Sequence, residues 1–267
     1  MMTQGLAVDG DLLKTAVAAA VAGGAVLKDW FHKVTATSKS CAADIVTEAD
    51  VASQRVIHDL IIRRYPEHNF LGEEGLQRTD GKEPYRWIID PLDGTSNYFH
   101  GYPYFAVSIG VELQGELVVG VIYDPTREEI FTAQIGQGAR LNDRRLRVSQ
   151  TDCLAQSLLV ASFPPGVTAE ALPIQQFLRI LPHAQTIQRT GSAALNLAYL
   201  AAGRLDGFWS HSLKAWDMAA GVLIVQEAGG RVTRTEGQPL ALEIPDLLAT
   251  NGSIHDALRD LLSAPVQ

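Results

Sequence analysis

Cysteine is scarce in this chain, with only Cys41 and Cys153 among 267 residues. Disulfide-stapled secreted domains use far more cysteine, so the composition excludes that class. The sequence also lacks an apolar run of the roughly 18 residues that a membrane helix needs. Its first residues do not show the basic and apolar regions of a signal peptide. We therefore expect a cytoplasmic globular protein with no membrane partner.

Positive charge is also in deficit, because 22 Lys and Arg stand against 30 Asp and Glu, for a formal net charge of −8. A surface of this sign does not attract the phosphate backbone of nucleic acids, so no nucleic-acid partner is expected. The hydrophobic fraction of 46% and the charged fraction of 19% are ordinary for a globular protein. The length suffices for one large core or two closely packed lobes.

Apolar periodicity predicts helices and then strands in the first part of the chain, and alternating strands and helices in the rest. Consecutive strands favour an antiparallel meander, whereas alternation favours parallel or mixed pairing. This change predicts two lobes, residues 1–150 and 151–267. Predicted helices are 11–33, 44–64, 168–180, 192–202, 216–228 and 254–262, with loops at 35–43 and 76–85. Predicted strands are 70–71, 87–89, 105–113, 117–123 and 129–133, a hairpin at 136–148, then 157–162, 186–188, 205–209, 231–233 and 247–249.

Two aspartates, Asp90 and Asp93, follow the buried strand predicted at 87–89. We interpret them as loop residues past the end of that strand, where folds commonly present functional groups. Paired carboxylates suit a hard cation with oxygen ligands. The Gly94-Thr95-Ser96 turn that follows offers backbone N–H groups and hydroxyls to an anion such as phosphate.

Two further acidic groups stand at transitions between predicted elements. Glu73 and Glu74 follow a strand and are flanked by glycines, and Asp217 begins a helix. Each group has an ordinary structural explanation: a solvated turn for the glutamates, and a favourable helix-dipole interaction for Asp217. Turn capping likewise explains Asp90 and Asp93. Periodicity alone leaves these alternatives open.

Four motifs in register make the chain resemble the inositol monophosphatase family. They are residues 90–97, residues 216–221 continuing to 227–230, the glutamate motif 72–74 and the aspartate motif 44–50. The resemblance spans nearly the whole chain. It implies an α/β (α+β) fold, a layered α-β-α-β-α sandwich of the inositol monophosphatase and fructose-1,6-bisphosphatase type. It also implies a homodimer and Mg²⁺-dependent, lithium-sensitive hydrolysis of phosphate monoesters.

The resemblance assigns metal ligands mainly to the first lobe. Glu73, Asp90 and the backbone carbonyl of Leu92 would hold one Mg²⁺, and Asp90, Asp93 and Asp217 would hold a second. A third, weaker ion is implied near Glu73, so two or three ions are expected in all. These cations would reverse the sign of a pocket whose carboxylates otherwise repel a phosphate dianion.

The resemblance also implies a reaction by direct, in-line attack of a metal-activated water. Glu73 and Thr95 would orient or deprotonate this water, and Asp50 would accept the proton of the Thr95 hydroxyl. The backbone N–H groups of Gly94 and Thr95 would hold phosphate oxygens. Because metal activation makes a histidine base unnecessary, His100 and His211 are not expected to act as acid or base.

The substrate-side residues are expected from the same resemblance. Asp93 is expected to bind the substrate, and Ser192 and Ala193 match a family segment that touches its alcohol portion, although an N-cap equally explains Ser192. Lys39 falls on a loop near the entrance, and an ordinary solvated lysine is the alternative. Many inositol-specific members have a glutamate where this chain has Ser210, which carries no charge. This substitution weakens the assignment of inositol phosphate in particular, and His211 and Lys214 nearby would favour a substrate with further negative charge.

An inositol monophosphate is therefore the first expectation for a small phosphate monoester substrate. The alternatives within the same chemistry are histidinol phosphate, fructose 1,6-bisphosphate, a 3′-phosphoadenosine nucleotide and NADP. An alternative of another class is a protein that binds the transcription machinery, since some bacterial members of the family do so without needing catalysis.

Overall fold

Residues 10–33, 36–38, 45–164 and 166–264 are described by a computed structural model. Their helices are α1 (Gly10–Trp30), α2 (Glu48–Arg64), α3 (Thr95–Phe99), α4 (Leu172–Ile180), α5 (Ala193–Ala201), α6 (Ala215–Glu227) and α7 (His255–Ser263), with short 3₁₀ turns at Leu154–Gln156 and Leu181–His183. Their strands are β1 (Ala36–Ser38), β2 (Ile45–Thr47), β3 (Asn69–Gly72), β4 (Gln77–Arg78), β5 (Tyr85–Asp93), β6 (Ala106–Leu113), β7 (Glu116–Asp124), β8 (Glu129–Gln134), β9 (Gly138–Leu141), β10 (Arg144–Arg145), β11 (Leu158–Ser162), β12 (Thr186–Gln188), β13 (Gly207–Ser210), β14 (Arg231–Thr233) and β15 (Leu247–Thr250).

An eight-stranded sheet, in the order β10-β9-β8-β7-β6-β5-β3-β4, is built from residues before 150. Strands β6 to β10 pair antiparallel with their sequence neighbours, so the predicted meander and hairpin are confirmed. Helices α1 and α2 pack on one face of this sheet, and α6 packs on the other. Every residue of β6 is buried, as expected for a strand covered on both faces.

A five-stranded sheet, in the order β12-β11-β13-β15-β14, is built from residues after 150. Its pairing is mixed, as the alternating pattern predicts: β11 runs parallel to β12 and β13, and β15 runs antiparallel to β13 and β14. Successive side chains alternate between its faces. Phe208 joins the core around α5 and α6, whereas its neighbour Trp209 packs with residues of α4 and α7.

The molecule therefore has five layers: α1 and α2, the large sheet, α5 and α6, the small sheet, and α4 and α7. This arrangement confirms the predicted α-β-α-β-α sandwich. The two sheets divide the chain near residue 150, but the two lobes remain a prediction. Within the described part of the chain, no helix combines the length and the hydrophobicity required to span a bilayer.

Three predicted boundaries are wrong for local reasons. Helix α2 begins at Glu48 instead of residue 44, because the β-branched run at Ile45–Thr47 forms a strand paired with Ala36–Ser38. The predicted loop at 76–85 contains β4, which pairs with β3. Helix α4 begins at Leu172 instead of residue 168, with a proline in its first turn. Residues 39–44, including Lys39 and Cys41, lie outside the described residues.

Candidate active site

The site lies at one end of the parallel pair formed by β3 and β5 in the large sheet. Gly72 is in register with Ile89, and the N–H of Glu73 donates to the Ile89 carbonyl over 3.2 Å. Parallel strands present their carboxyl ends at the same edge. Glu73 and Asp90 are the residues that come next after this pair in the two segments, and they therefore lie side by side.

A β-bulge in β5 directs the two aspartates. Asp90 pairs with Ser108 and Asp93 with Ala106, so three steps along β5 match two along β6. Side chains three apart in a regular strand point to opposite faces, and the extra residue of the bulge returns both carboxylates to one side. Our prediction that the strand ends at residue 89 and leaves these aspartates in a loop is wrong. Pro91, which has no N–H to donate, sits in the irregular part.

Asp90, Asp93 and Asp217 form a compact carboxylate cluster, in which each residue offers an oxygen within 4.8 Å of the others. Asp90 and Asp93 are buried, and Asp217 is half-buried. Asp217 lies in the first turn of α6, where its Oδ2 accepts the Lys214 N–H over 2.7 Å. The helix-end interaction considered for Asp217 is thus present, and it coexists with membership of the cluster.

Burial and mutual repulsion govern the electrostatics of the cluster. Burial, followed by the charges of Glu73, Asp93 and Asp217, raises the pKa of Asp90 well above its usual range. Burial also raises the pKa of Asp217 to about 8 and that of Asp93 to about 6. Protein donors therefore compensate only part of the negative charge. Clustered oxygen donors with excess negative charge suit a divalent cation such as Mg²⁺.

Asp93 is held by the N-terminus of α5. Its carboxylate accepts the hydroxyl of Ser192 and the N–H groups of Ala193 and Ala194, the latter over 3.3 and 2.8 Å. The Ser192 oxygen also accepts the N–H of Leu195 over 3.2 Å and so caps the helix. Ser192 and Ala193 thus contact an aspartate of the cluster, and their contact with a substrate remains a prediction.

Thr95 follows the cluster at the start of α3. Its hydroxyl lies 3.2 Å from Oδ1 of Asp50 and 3.1 Å from the carbonyl oxygen of Leu92. Asp50 is completely buried in the first turn of α2. Asp50 is distant from Leu92 and Thr95 in the sequence, and the fold brings it into contact with Thr95.

Gly94 separates the bulge from α3 and adopts φ 95°, in the left-handed region. A Cβ at this position would lie 3.0 Å from the carbonyl oxygen of Tyr104. Only glycine avoids both the backbone strain and this contact. The Gly-Thr-Ser segment expected as a turn is therefore a glycine N-cap followed by a short helix, whose first-turn N–H groups have no intrahelical acceptor.

Two residues of α2 were missed by the sequence reasoning. The side chain of Gln54 bonds the backbone of Glu74, and the Ser53 hydroxyl donates to the Pro91 carbonyl over 3.1 Å. A signal was available, because Asp50, Ser53 and Gln54 occupy positions i, i+3 and i+4 on the buried side of an amphipathic helix. Polar residues on such a side require buried partners.

Asn97 lies in the motif at residues 90–97, and the sequence alone does not assign it a role. Its amide donates to the carbonyls of Tyr104 and Thr190 over 2.8 and 2.9 Å. These bonds tie α3 to the segment that leads into Ser192 and α5. Asn97 therefore fixes the position of the group that holds Asp93.

The remaining predicted residues lie apart from the carboxylate contacts. Ser210 ends β13, is completely buried, and accepts the Ser212 N–H over 3.3 Å. His211 is held by Gln176 and Asp246, over 2.6 and 3.3 Å. His100 is exposed at the end of α3.

Comparison with known proteins agrees with this architecture. The model of the inositol monophosphatase family matches residues 10–266. An inositol-1-monophosphatase of Synechocystis sp. is 43% identical over 257 residues, which cover 96% of this chain and 90% of that protein. The Nus factor SuhB of Pseudomonas aeruginosa is 43% identical over 230 residues, which cover 84% and 85%. The crystal structure of the extragenic suppressor protein SuhB from Bartonella henselae superposes with a TM-score of 0.91 at 38% identity, over 96% of this chain and 100% of that one. The chain therefore belongs to the inositol monophosphatase family and is a phosphoric monoester hydrolase.

Proposed function

We propose that this chain is a Mg²⁺-dependent phosphatase that hydrolyses a small phosphorylated alcohol, with inositol monophosphate as the first candidate. The observation that carries the proposal is the buried cluster of Asp90, Asp93 and Asp217, whose carboxylate oxygens lie within 4.8 Å of one another. Buried like charges are unfavourable unless a cation compensates them. The presence of three such carboxylates at one site therefore favours a role that uses a cation.

Glu73, Asp90, Asp93, Asp217 and the Leu92 carbonyl would hold two or three Mg²⁺ ions. Carboxylates from several elements, completed by water and phosphate oxygens, are the ligands that Mg²⁺ prefers. When bound, Mg²⁺ lowers the pKa of water and stabilises negative charge on the leaving oxygen. The Leu92 carbonyl is one of two acceptors within reach of the Thr95 hydroxyl, and with that proton directed to Asp50 its lone pairs are left for a cation.

The residues of the chain would orient the attacking water. The Thr95 hydroxyl has one proton to donate and lies within hydrogen-bond distance of buried Asp50. With that proton directed to Asp50, its lone pairs are free to accept a hydrogen bond from water. Glu73 would take the second proton as general base. Backbone N–H groups of Gly94 and Thr95 would hold the phosphate oxygens as charge develops.

The residues proposed to bind the substrate would determine which phosphorylated alcohol is hydrolysed. Asp93, Ser192 and Ala193 would contact the alcohol, Lys39 would line the entrance, and the uncharged Ser210 would bind hydroxyls less strongly than a glutamate. The alternative substrates are histidinol phosphate, fructose 1,6-bisphosphate, a 3′-phosphoadenosine nucleotide and NADP. A panel of these compounds beside myo-inositol 1-phosphate, assayed for phosphate release, distinguishes them.

The decisive test is phosphate release with and without Mg²⁺ by the wild type and Asp90→Asn. We expect the variant to lose about 100-fold or more in activity, because it removes a ligand shared between the cations. Asp143→Asn, which changes an exposed turn aspartate, is the matched control and should retain activity. Full activity of Asp90→Asn would refute the metal scheme. Millimolar Li⁺ should inhibit the wild type.

A second candidate function is binding to the transcription machinery. The observation in its favour is the name of the Pseudomonas aeruginosa relative, a Nus factor. A pull-down of transcription proteins with Asp90→Asn tests it, because a binding role should survive the loss of chemistry. A homodimer and a cytoplasmic location remain predictions, which sedimentation and cell fractionation would check.

A further inference from the structure

We propose that Gln54 is a positioning residue for the metal site, which fixes the Gly72–Gly75 turn and through it the carboxylate of Glu73. The inference rests on the proposed function, because Glu73 matters here as a ligand of Mg²⁺. The side chain of Gln54 does not belong to the carboxylate cluster. Its role would be exerted through the backbone of the neighbouring turn.

Gln54 bonds both backbone groups of one residue. Its Nε2 donates to the carbonyl of Glu74 over 2.9 Å, and its Oε1 accepts the N–H of Glu74 over 3.2 Å. Gln54 is buried on α2, and these bonds are partly shielded from water. A primary amide is suited to this pairing, because it carries a donor and an acceptor side by side as a neighbouring strand does.

The close approach of α2 to the turn depends on Gly72. A Cβ at Gly72 would lie 2.7 Å from Oε1 of Gln54, so a larger residue would push the amide away. On the opposite side, the N–H of Glu73 donates to Ile89 of β5. The turn is therefore held from two directions, by the sheet at Glu73 and by the helix at Glu74.

The same stretch of α2 holds the other parts of the site. Asp50 is bonded to Thr95, and Ser53 is bonded to the carbonyl of Pro91 in the bulge. With Gln54, the first turns of one helix contact the glutamate turn, the aspartate bulge and the start of α3. Loss of the Gln54 bonds would release the glutamate turn from the helix and leave the contacts of Asp50 and Ser53 in place.

Mg²⁺ affinity measured by calorimetry tests the proposal in Gln54→Met, which keeps the volume and removes both hydrogen bonds. We expect the Kd for Mg²⁺ to rise about tenfold, as is typical when the partner that orients a ligand is lost. Hydrogen exchange in the peptide 70–77 should accelerate. The value of kcat at saturating Mg²⁺ should fall less than the affinity for Mg²⁺, because Glu73 and the other ligands remain. If Gln54→Met does not fold, Gln54→Ala carries the same expectation.

Asn251→Leu is the matched control, since Asn251 is also a buried amide that bonds backbone and side-chain groups, here Ser149, Thr151 and Ile254. It should lower the thermal stability and leave the Kd for Mg²⁺ unchanged. A Kd of Gln54→Met equal to that of the wild type, or an equal rise in Asn251→Leu, would overturn the role of Gln54. A wild type that neither binds Mg²⁺ nor releases phosphate would instead overturn the proposed function.

Discussion

At the residue scale, the protonation of the carboxylate cluster would couple the proposed metal binding to pH. Burial raises the pKa of Asp217 to about 8 and that of Asp93 to about 6 in the protein alone. Asp217 therefore holds a proton at neutral pH, and a cation must displace it. We expect the Kd for Mg²⁺ to fall as the pH rises from about 6 to about 9.

Calorimetry in two buffers of different ionisation enthalpy measures both this affinity and the protons released. Proton release should be largest below the pKa of Asp217 and should decline above it. Asp217→Asn is the comparison variant, because it removes the carboxyl group whose pKa is raised to about 8. Mg²⁺ binding without proton release near neutral pH would contradict the raised pKa values.

Gly94 offers a second prediction at this scale. Gly94→Ala would combine φ 95° with a Cβ at 3.0 Å from the Tyr104 carbonyl. We expect it to lower the free energy of unfolding by about 3 kcal/mol, measured by urea denaturation. Gly75→Ala, with φ 72° and no atom within 4 Å of the added Cβ, should cost only about 1 kcal/mol. Equal losses would mean that the backbone angle alone matters.

The carboxylates of the proposed metal site were predictable, whereas the positioning residue Gln54 was not. Asp90, Asp93, Asp217 and Glu73 stand out because charge beside a predicted element end is unusual and because they lie in motifs. Gln54 acts through a bond to a residue in another element, and no local pattern reports such a bond. Its position on the buried side of α2 gives the only sequence signal that we find for it.

At the element scale, the length of β5 cannot be predicted from its own sequence. The apolar run at 87–89 predicts a strand, but pairing with β6 carries that strand on through the aspartates to Asp93. The bulge depends on the register of a neighbouring strand, which periodicity does not report. The pattern therefore predicts that carboxylates lie at this edge, and the pairing decides that they point the same way.

His255 joins β14 to β15 and predicts a pH dependence of stability. Its Nε2 and Nδ1 lie 2.9 Å from the hydroxyls of Thr233 and Thr250, respectively, and its side chain is completely buried. Burial lowers the pKa of His255 to about 4. The unfolded chain binds a proton at this histidine below about pH 6.5, whereas the folded chain does so only near pH 4. The free energy of unfolding therefore decreases as the pH falls from about 6.5 towards 4.

We expect this histidine to account for a loss of about 2 kcal/mol between about pH 7.5 and pH 5. Urea denaturation of the wild type and His255→Gln at both pH values measures it. The difference between the two proteins isolates His255, because the aspartate cluster titrates alike in both. If both proteins lose the same stability on acidification, His255 is not responsible.

At the scale of the whole molecule, α5 and α6 join the two sheets. Residues of α6 such as Met218 and Val222 belong to a core cluster that also contains Phe131 of the large sheet and Phe208 of the small sheet. The lobes predicted at 1–150 and 151–267 therefore share a core. We expect one cooperative unfolding transition in calorimetry, with equal calorimetric and van't Hoff enthalpies.

Mg²⁺ should raise the midpoint of this single transition, because a ligand that binds only the native state stabilises it. Asp217→Asn should abolish most of the shift. Two resolved transitions, of which only one responds to Mg²⁺, would show instead that the lobes unfold separately. The alternating strands and helices predict mixed pairing, but the five layers were expected only by resemblance, because layer order depends on contacts between distant segments.

The ligands of the proposed metal site are far apart in the chain: Asp90 and Asp93 lie in β5, and Asp217 follows much later, in α6. During synthesis, most of the chain must leave the ribosome before the third carboxylate exists. The complete site would therefore form late in synthesis. A cation bound there would stabilise only the nearly complete fold and would slow its unfolding.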